Sequence, residues 1–231
     1  MGADIAPKEI FEAALHAVKK DEPVRLFLYC TPEIQQKLKT AKIQGCTFCP
    51  CEEVILMEDE PLTSLRKKKN SSLVLGIQAL KKGEIEAFIS CANTGSLLAA
   101  SHLFLPPLPL VKRPALIAEL PIKKKRLIVL DVGGSVHSTT DELIQFAFLG
   151  TSYHVAKYAK KPTLGLLNIG VESQKGTEEL KSAWKKLNEM AKSQSLPFTF
   201  LGNIEPVDAF SGKVDIVVTN GFAGNIFLKT A

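Results

Sequence analysis

FTFLGNIEPVDAFSGKVDIVVTNGFAGNIFLKT, running from Phe198 to Thr230, is the stretch whose reading decides the fold. Its two short apolar runs, Phe198–Leu201 and Val214–Val218, have the β-branched and aromatic content of strands. Each ends in a small polar pair, Gly202-Asn203 and Asn220-Gly221, and after the second pair Phe222-Ala223-Gly224-Asn225 leads into a helix-like start at Ile226–Thr230. A strand, a Gly/Asn turn and a helix N-terminus together suit an anion. The helix start offers unpaired N–H groups and the positive end of its dipole. Glycine lets the backbone come close, and asparagine tolerates left-handed turns while still donating hydrogen bonds.

The pattern recurs upstream. Ala87–Ser90 reads as a strand leading to Asn93-Thr94-Gly95 and a helix-like SLLAASHLFL. Arg126–Leu130 leads to Asp131-Val132-Gly133-Gly134 and a helix from about Thr140 to Leu149, and Thr163–Leu167 leads to Asn168-Ile169-Gly170 and the periodic run Thr177–Lys192. Five strand ends therefore carry Asn or Asp beside Gly. In a parallel sheet such ends share one edge, where open α/β folds bind ligands. The expectation is an α/β protein with a mostly parallel sheet and one small polar crevice.

Working outward, Asp4 is placed to cap a helix that begins near Pro7 and runs to about Lys20. Val24–Tyr29 reads as a strand, Pro32–Leu38 as a short helix, and Thr47–Val54 as irregular or extended. Pro61–Lys69 and Ser72–Lys81 read as helices broken near Asn70-Ser71, and Leu105–Pro109 as a proline-stiffened loop. Ala115–Leu120 reads as a strand followed by a turn at Ile122–Lys125. With no composition shift that marks a linker, 1–231 is taken as a single domain. The first helix has no strand before it and the last stops at Ala231, so the expectation is a domain lacking its first strand and its C-terminal part.

A net charge of +5 over 231 residues is too small to argue for nucleic acid. No apolar run approaches the ~18 residues of a membrane span, and MGADIAPKEIFEAALHAVKK lacks the apolar core of a signal peptide. A cytoplasmic protein is expected. Cys46 and Cys49 have metal-ligand spacing and Cys51 is close by, but no histidine or second cysteine pair is near. They are read as reduced thiols, and neither a metal nor a cofactor is expected.

Six segments taken together resemble one family: MGADIAPKE (1–9), MEDEPLTSLRKKKNSSLV (57–74), CANTGSLLAA (91–100), LDVGGSVHSTTDELIQFAFLG (130–150), LLNIGVESQKG (166–176) and GNIEPVDAFSGKVDIVVTNGFAGNIFLKT (202–230). They are similar to the bacterial phosphate acyltransferases of phospholipid synthesis, the PlsX-type acyl-carrier-protein:phosphate transacylases. The resemblance implies an α/β/α sandwich akin to the isocitrate and isopropylmalate dehydrogenases and to phosphotransacetylase. It implies conversion of a long-chain acyl group on acyl carrier protein, with inorganic phosphate, into acyl phosphate. It also implies a homodimer with peripheral contact at the inner face of the plasma membrane, through a segment absent here. The chain departs from the family pattern at Ala3, at Cys91-Ala92 before Asn93, at Gly134-Ser135 after Gly133, and at Asn220.

Such a reaction needs no familiar triad, because phosphate is itself the nucleophile and a thiol of pKa ~8.5 is an easy leaving group. What it needs is a hold on phosphate, a hold on the thioester carbonyl and stabilisation of the oxyanion. Lys175, between a strand end and a helix start, is the leading phosphate cation, weighed against a solvated lysine. Asn93, Asn203 and Asn225 are candidate donors or turn residues, with Thr94, Asn168 and Asn220 beside them in the phosphate-binding set. Asp131 is read either as orienting a donor or lysine, or as a cap or loop residue. Gly95, Gly133, Gly170, Gly221 and Gly224 are backbone positions. Arg66, Lys67, Lys68 and Lys69 form one basic patch, and Lys112-Arg113 with Lys123–Arg126 another; the first is the candidate dock for an acidic carrier protein, weighed against solvated charge. A nicotinamide-dependent dehydrogenase is the alternative enzyme, although no G-x-G-x-x-G follows the first strand. A catalytically incomplete fragment acting as a binding module is the alternative outside enzymes.

Overall fold

The computed structural model describes residues 2, 7–18, 24–38, 45–109, 111–122, 125–193 and 195–231. The expected cap Asp4, the end of the first helix at Lys20 and the basic residues Lys123 and Lys124 lie outside them. The chain forms two compact units, 1–108 and 109–231.

The first unit contains α1 (Pro7–Val18), β1 (Leu26–Cys30), α2 (Pro32–Leu38), β2 (Cys46–Pro50), α3 (Pro61–Lys67), α4 (Ser72–Lys82) and α5 (Thr94–Phe104). Strands β1 and β2 pair in parallel, from Leu26 opposite Cys46 to Cys30 opposite Pro50, so of the segment read as irregular or extended, Thr47–Pro50 is extended and paired. The break between α3 and α4 falls where Ser71 caps α4 by accepting the Val74 N–H. Ile55, Leu65, Leu73, Val74, Ile77 and Ala100 form the buried core. Ala87–Ser90, read as a strand, joins no ladder among the described residues. The Phe88 ring lies over Gly76 of α4, where a Cβ would come within 2.0 Å of it, while the neighbouring Ile89 is 87% exposed. Phe88 is anchored on a helix rather than in a sheet. Burial pushes the Cys30, Cys46 and Cys49 thiols up, and takes Cys51 to about 11, so these thiols are poor nucleophiles.

The second unit contains β3 (Ile117–Ile122), β4 (Lys125–Leu130), α6 (Thr140–Tyr158), β5 (Thr163–Leu167), α7 (Glu178–Ser193), β6 (Thr199–Ile204), α8 (Pro206–Ser211), β7 (Ile216–Val218) and α9 (Gly221–Thr230). Its sheet has the order β3-β4-β7-β5-β6, parallel throughout except for β3, which pairs antiparallel with β4 at the edge. The central strands read as continuous apolar runs because both faces are covered. On one face Ile128, Leu130, Leu164, Leu166, Ile216 and Val218 pack against Leu143 and Phe146 of α6 and Leu180 and Leu187 of α7. On the other, Leu127, Val129 and Val217 pack against Ala209 of α8 and Phe227 of α9. Gly202, expected to end its strand, instead sits inside β6 with φ of 87°, at a register shift where Leu164 faces Phe200 but Leu166 faces Asn203. The shift is a β-bulge, and glycine accommodates its left-handed residue.

The opposite edge of the sheet is held by Asp215, which is 8% exposed. Its carboxylate accepts from Lys125 Nζ at 2.7 Å and from the Thr163 N–H and hydroxyl, each at 2.8 Å. Burial works to raise its pKa, but these three donors outweigh burial and hold it below the ordinary value. A depressed pKa stabilises the fold fully above the unfolded value near 3.9, and that contribution is lost as the pH falls through the folded pKa. Asp215→Asn places an amide N–H₂ against these donors. It should cost roughly 2–3 kcal/mol at pH 7 and flatten the fall in stability below about pH 4, read by urea unfolding at a series of pH values.

Candidate functional site

The geometry of the second sheet singles out one place. The chain leaves β4 toward α6 on one face, and leaves the neighbouring β7 toward α9 on the other. Adjacent parallel strands whose connections part to opposite faces open a crevice beyond their C-terminal ends. A cleft of about 330 Å³ is found at the mouths of these loops, lined by Ser138, Thr139, Glu142, Thr177, Glu179 and Asn220 together with Arg113, His137, Leu143 and Leu180.

Three helix starts meet there. Thr139 caps α6 in a reciprocal capping box with Glu142, Thr177 accepts from the Leu180 N–H of α7 at 3.4 Å, and Asn220 caps α9 by accepting from Ala223 N–H at 2.8 Å. The first turns of α6 and α7 already carry carboxylates, Asp141 and Glu142 in one and Glu178 and Glu179 in the other, whereas that of α9 carries none. Within α9 itself nothing acidic compensates the positive end of the dipole, although Asp131 lies against its first residue, Gly221, with Oδ2 2.8 Å from where a Cβ would stand. The N–H groups of Gly221 and Phe222 find no acceptor among the described residues.

Arg113 supplies the cation. Gln145 of α6 pins the backbone beside it, donating to the Arg113 carbonyl at 2.7 Å and accepting from the Lys112 N–H at 2.6 Å. Among the described residues the guanidinium makes one ion pair, 3.5 Å from Glu142 Oε1, and its side chain is 43% exposed. A single contact at that distance leaves most of the planar fork free to take a two-oxygen ligand. Burial works against the Glu142 carboxylate, but Thr139 and Arg113 outweigh it and hold it below the usual carboxylate range. The Glu179 carboxyl is also held low, first by the Thr177 hydroxyl.

The structure divides the sequence-derived candidates into three groups. Asp131, Gly133, Asn220, Gly221, Gly224 and Asn225 come together where α9 meets the loop after β4. Fully buried Asp131 accepts from the Leu116, Gly133 and Gly134 N–H groups at 3.1, 3.2 and 2.8 Å, and from Ser135 Oγ at 2.9 Å. Ser135 Oγ lies 3.0 Å from Ser138 Oγ, so the carboxylate orders the loop up to the cleft wall, and no lysine among the described residues touches it. A Cβ on Gly221 would fall 2.2 Å from Ser135 O, and one on Gly224 1.9 Å from Asp131 O. Asn225 abuts Gly133, whose added Cβ would lie 3.7 Å from its Cγ.

Asn168, Gly170, Lys175 and Asn203 form the second group, around the loop after β5. Both amides serve that loop: Asn168 Nδ2 donates to Lys175 O at 3.0 Å, and Asn203 Nδ2 to Glu172 O at 2.9 Å. The Lys175 stem runs beside Gly170, its ammonium makes no ion pair among the described residues, and it does not line the cleft.

Asn93, Thr94 and Gly95 belong to the first unit. Asn93 caps α5 by accepting from Ser96 N–H at 2.9 Å and donates to Met57 O at 2.7 Å, which fixes the turn before α3. In the basic patch, Lys68 is turned inward onto Val54 O at 2.9 Å and onto Asp59, while Arg66, Lys67 and Lys69 are exposed. Lys125 of the other patch is engaged with Asp215, and Arg113 with the cleft.

Arg113, His137, Thr139, Thr177 and Glu142 were not singled out for the site. The T-x-x-E capping box at Thr139–Glu142 is legible in the sequence as a helix start, but the approach of Arg113 to it is not.

The family model described as "Fatty acid synthesis protein" matches residues 1–231. A phosphate acyltransferase from Chlamydia felis is 39% identical over 241 residues, covering 100% of this chain and 73% of its own length. One from Oceanobacillus iheyensis is 40% identical over 232 residues, covering 100% and 68%. Among solved structures, the EutD phosphotransacetylase from Staphylococcus aureus superposes with a TM-score of 0.66 at 15% identity, over 97% of this chain and 78% of that one. A branched-chain phosphotransacylase from Enterococcus faecalis gives 0.62 at 14% identity, over 99% and 81%. At such identities the structural likeness speaks for the fold, an α/β architecture with mostly parallel sheets.

Proposed function

The chain belongs to the fatty acid synthesis protein family, whose matching relatives are phosphate acyltransferases, and from that premise we propose the chemistry of its cleft. The protein is an acyltransferase of phospholipid synthesis. Inorganic phosphate sits at the α9 N-terminus, on the Gly221 and Phe222 N–H groups and the Arg113 fork, and attacks the thioester carbonyl of acyl-acyl carrier protein. Acyl phosphate and free carrier thiol result. The observation that carries this placement is the convergence on one crevice of a helix start whose first turn carries no acidic residue of its own and a half-free guanidinium. Such fixed N–H groups and cation cost no reorganisation as charge develops on the carbonyl oxygen. The nicotinamide alternative is not favoured, since the family and its named relatives are acyltransferases.

The test is phosphate-dependent thiol release from acyl carrier protein thioester. Saturable release with acyl phosphate as product supports the reading, and release that ignores phosphate contradicts it.

We further propose, as the resemblance implies, an α/β/α sandwich in which 1–231 works as a single domain built from the two compact units. A cytoplasmic homodimer with peripheral contact at the inner membrane face is proposed from the same resemblance. Among the described residues no helix is long and apolar enough to cross a membrane. For the carrier protein the exposed Arg66, Lys67 and Lys69 remain the candidate dock. Reversing Lys67 and Lys69 to Glu should weaken carrier binding by about tenfold at low salt, with the loss fading at high salt, because surface charge acts mainly on association. Titration of labelled carrier at two ionic strengths reads this, and unchanged low-salt binding removes the patch from the interface.

A further inference from the structure

The transfer leaves one proton to be moved. Hydrogen phosphate dianion plus a thioester gives acyl phosphate dianion plus a thiol: an O–C bond forms, the C–S bond breaks, and the phosphate proton ends on sulfur. The charge is −2 on both sides. An alkyl thiol of pKa ~8.5 is an easy leaving group, yet its sulfur ends protonated at neutral pH, so a proton delivered as the C–S bond breaks still speeds its departure.

We propose that the His137 imidazole carries this proton, taking it from phosphate and giving it to the departing sulfur. The proposal rests on the placement of phosphate in the cleft given above. His137 lines that cleft from the loop between β4 and α6, beside Ser138 and the cap Thr139. It is exposed, and its ring makes no hydrogen bond among the described residues, so it is free to turn between two reacting atoms. The other charged groups facing it are Arg113 from the segment before β3, Glu142 from α6 and Glu179 from α7, while α9 contributes the uncharged Asn220. A guanidinium gives up no proton in proteins. Both carboxylates are tied up by threonine donors, Glu142 also by Arg113, and are held ionised at neutral pH. The serine and threonine hydroxyls do not titrate in this range. Among the described residues lining the cleft, His137 is the one whose ring nitrogens can both accept and donate a proton.

His137→Gln keeps size and polarity but cannot shuttle a proton, and as an exposed change it should leave the melting temperature unaltered. The experiment compares kcat for two thioesters of the same acyl chain, one with an alkyl thiol like that of the carrier and one with an aryl thiol that leaves readily as the anion. On the alkyl thioester the variant should lose 10²- to 10⁴-fold. On the aryl thioester it should lose less than about tenfold, with the phosphate proton passing to water. A merely structural role would depress both alike. An active wild type whose variant is equally impaired on both thioesters, or on neither, overturns the inference alone. A wild type that shows no phosphate-dependent thiol release overturns the reading of the cleft and the inference with it.

Discussion

Arg113→Ala should lower kcat/KM for phosphate by about 10²- to 10³-fold, the scale of one charged contact to an anion in a preorganised site. The guanidinium is the cation lining the cleft at the start of α9, and its pair with Glu142 at 3.5 Å leaves donors to spare. Removing it also strips Glu142 of its counter-charge, so a carboxylate already bonded to Thr139 then faces the incoming phosphate. Arg113→Lys keeps the charge but loses the fork, and should fall between alanine and the native enzyme. The backbone contacts with Gln145 survive both changes, so thermal stability should shift little. Lys175→Ala is the internal comparison. Its ammonium does not line the cleft, so its loss should cost less than about tenfold, the range of a surface charge acting at a distance. Initial rates of thiol release against phosphate concentration measure all three. A Lys175 variant more impaired than the Arg113 variant would return the phosphate to the loop after β5.

The second large effect is expected at Gly224. A Cβ there would stand 1.9 Å from the Asp131 carbonyl oxygen and 2.8 Å from Thr219 Cγ2. The first obstacle is backbone, so no side-chain rotation relieves it, and α9 must move away from the loop that Asp131 orders. Gly224→Ala should therefore cost about 3 kcal/mol or more, at the upper end of overpacking. For a chain of this length that is a fall in melting temperature of roughly 6–12 °C. Activity should fall further than stability, because displacing α9 misaligns the N–H groups meant for the anion. Gly212→Ala separates the two kinds of glycine. There φ is 84° and the added Cβ would lie 3.7 Å from Lys125, so only backbone strain of about 1–2 kcal/mol is expected, with activity retained. Equal destabilisation by the two substitutions would show that α9 is not held against the loop as described.

The sequence by itself determined what depends on neighbours along the chain. The apolar runs around Arg126–Leu130, Thr163–Leu167 and Val214–Val218 became β4, β5 and β7, and the Asp/Asn/Gly punctuation after them marked true strand ends. Strand content, capping and turns are local properties, so composition and spacing carry them. The family, too, was legible in dispersed segments.

Only the tertiary structure decided where those ends lie. Strand β7, late in the chain, enters between β4 and β5, and this non-local pairing sets Asn220 beside the loop after β4 and opens the crevice. Asparagine amides that look like ligand donors are taken up in the fold: Asn93 holds the turn at Met57, and Asn168 and Asn203 close the loop after β5. A hydrogen-bonding group serves whichever partner the fold brings within about 3 Å, and residue type does not reveal which. Arg113 shows the converse. In the sequence it is one of several basic residues, and it reaches the site because Gln145, more than thirty positions later, pins its backbone to α6.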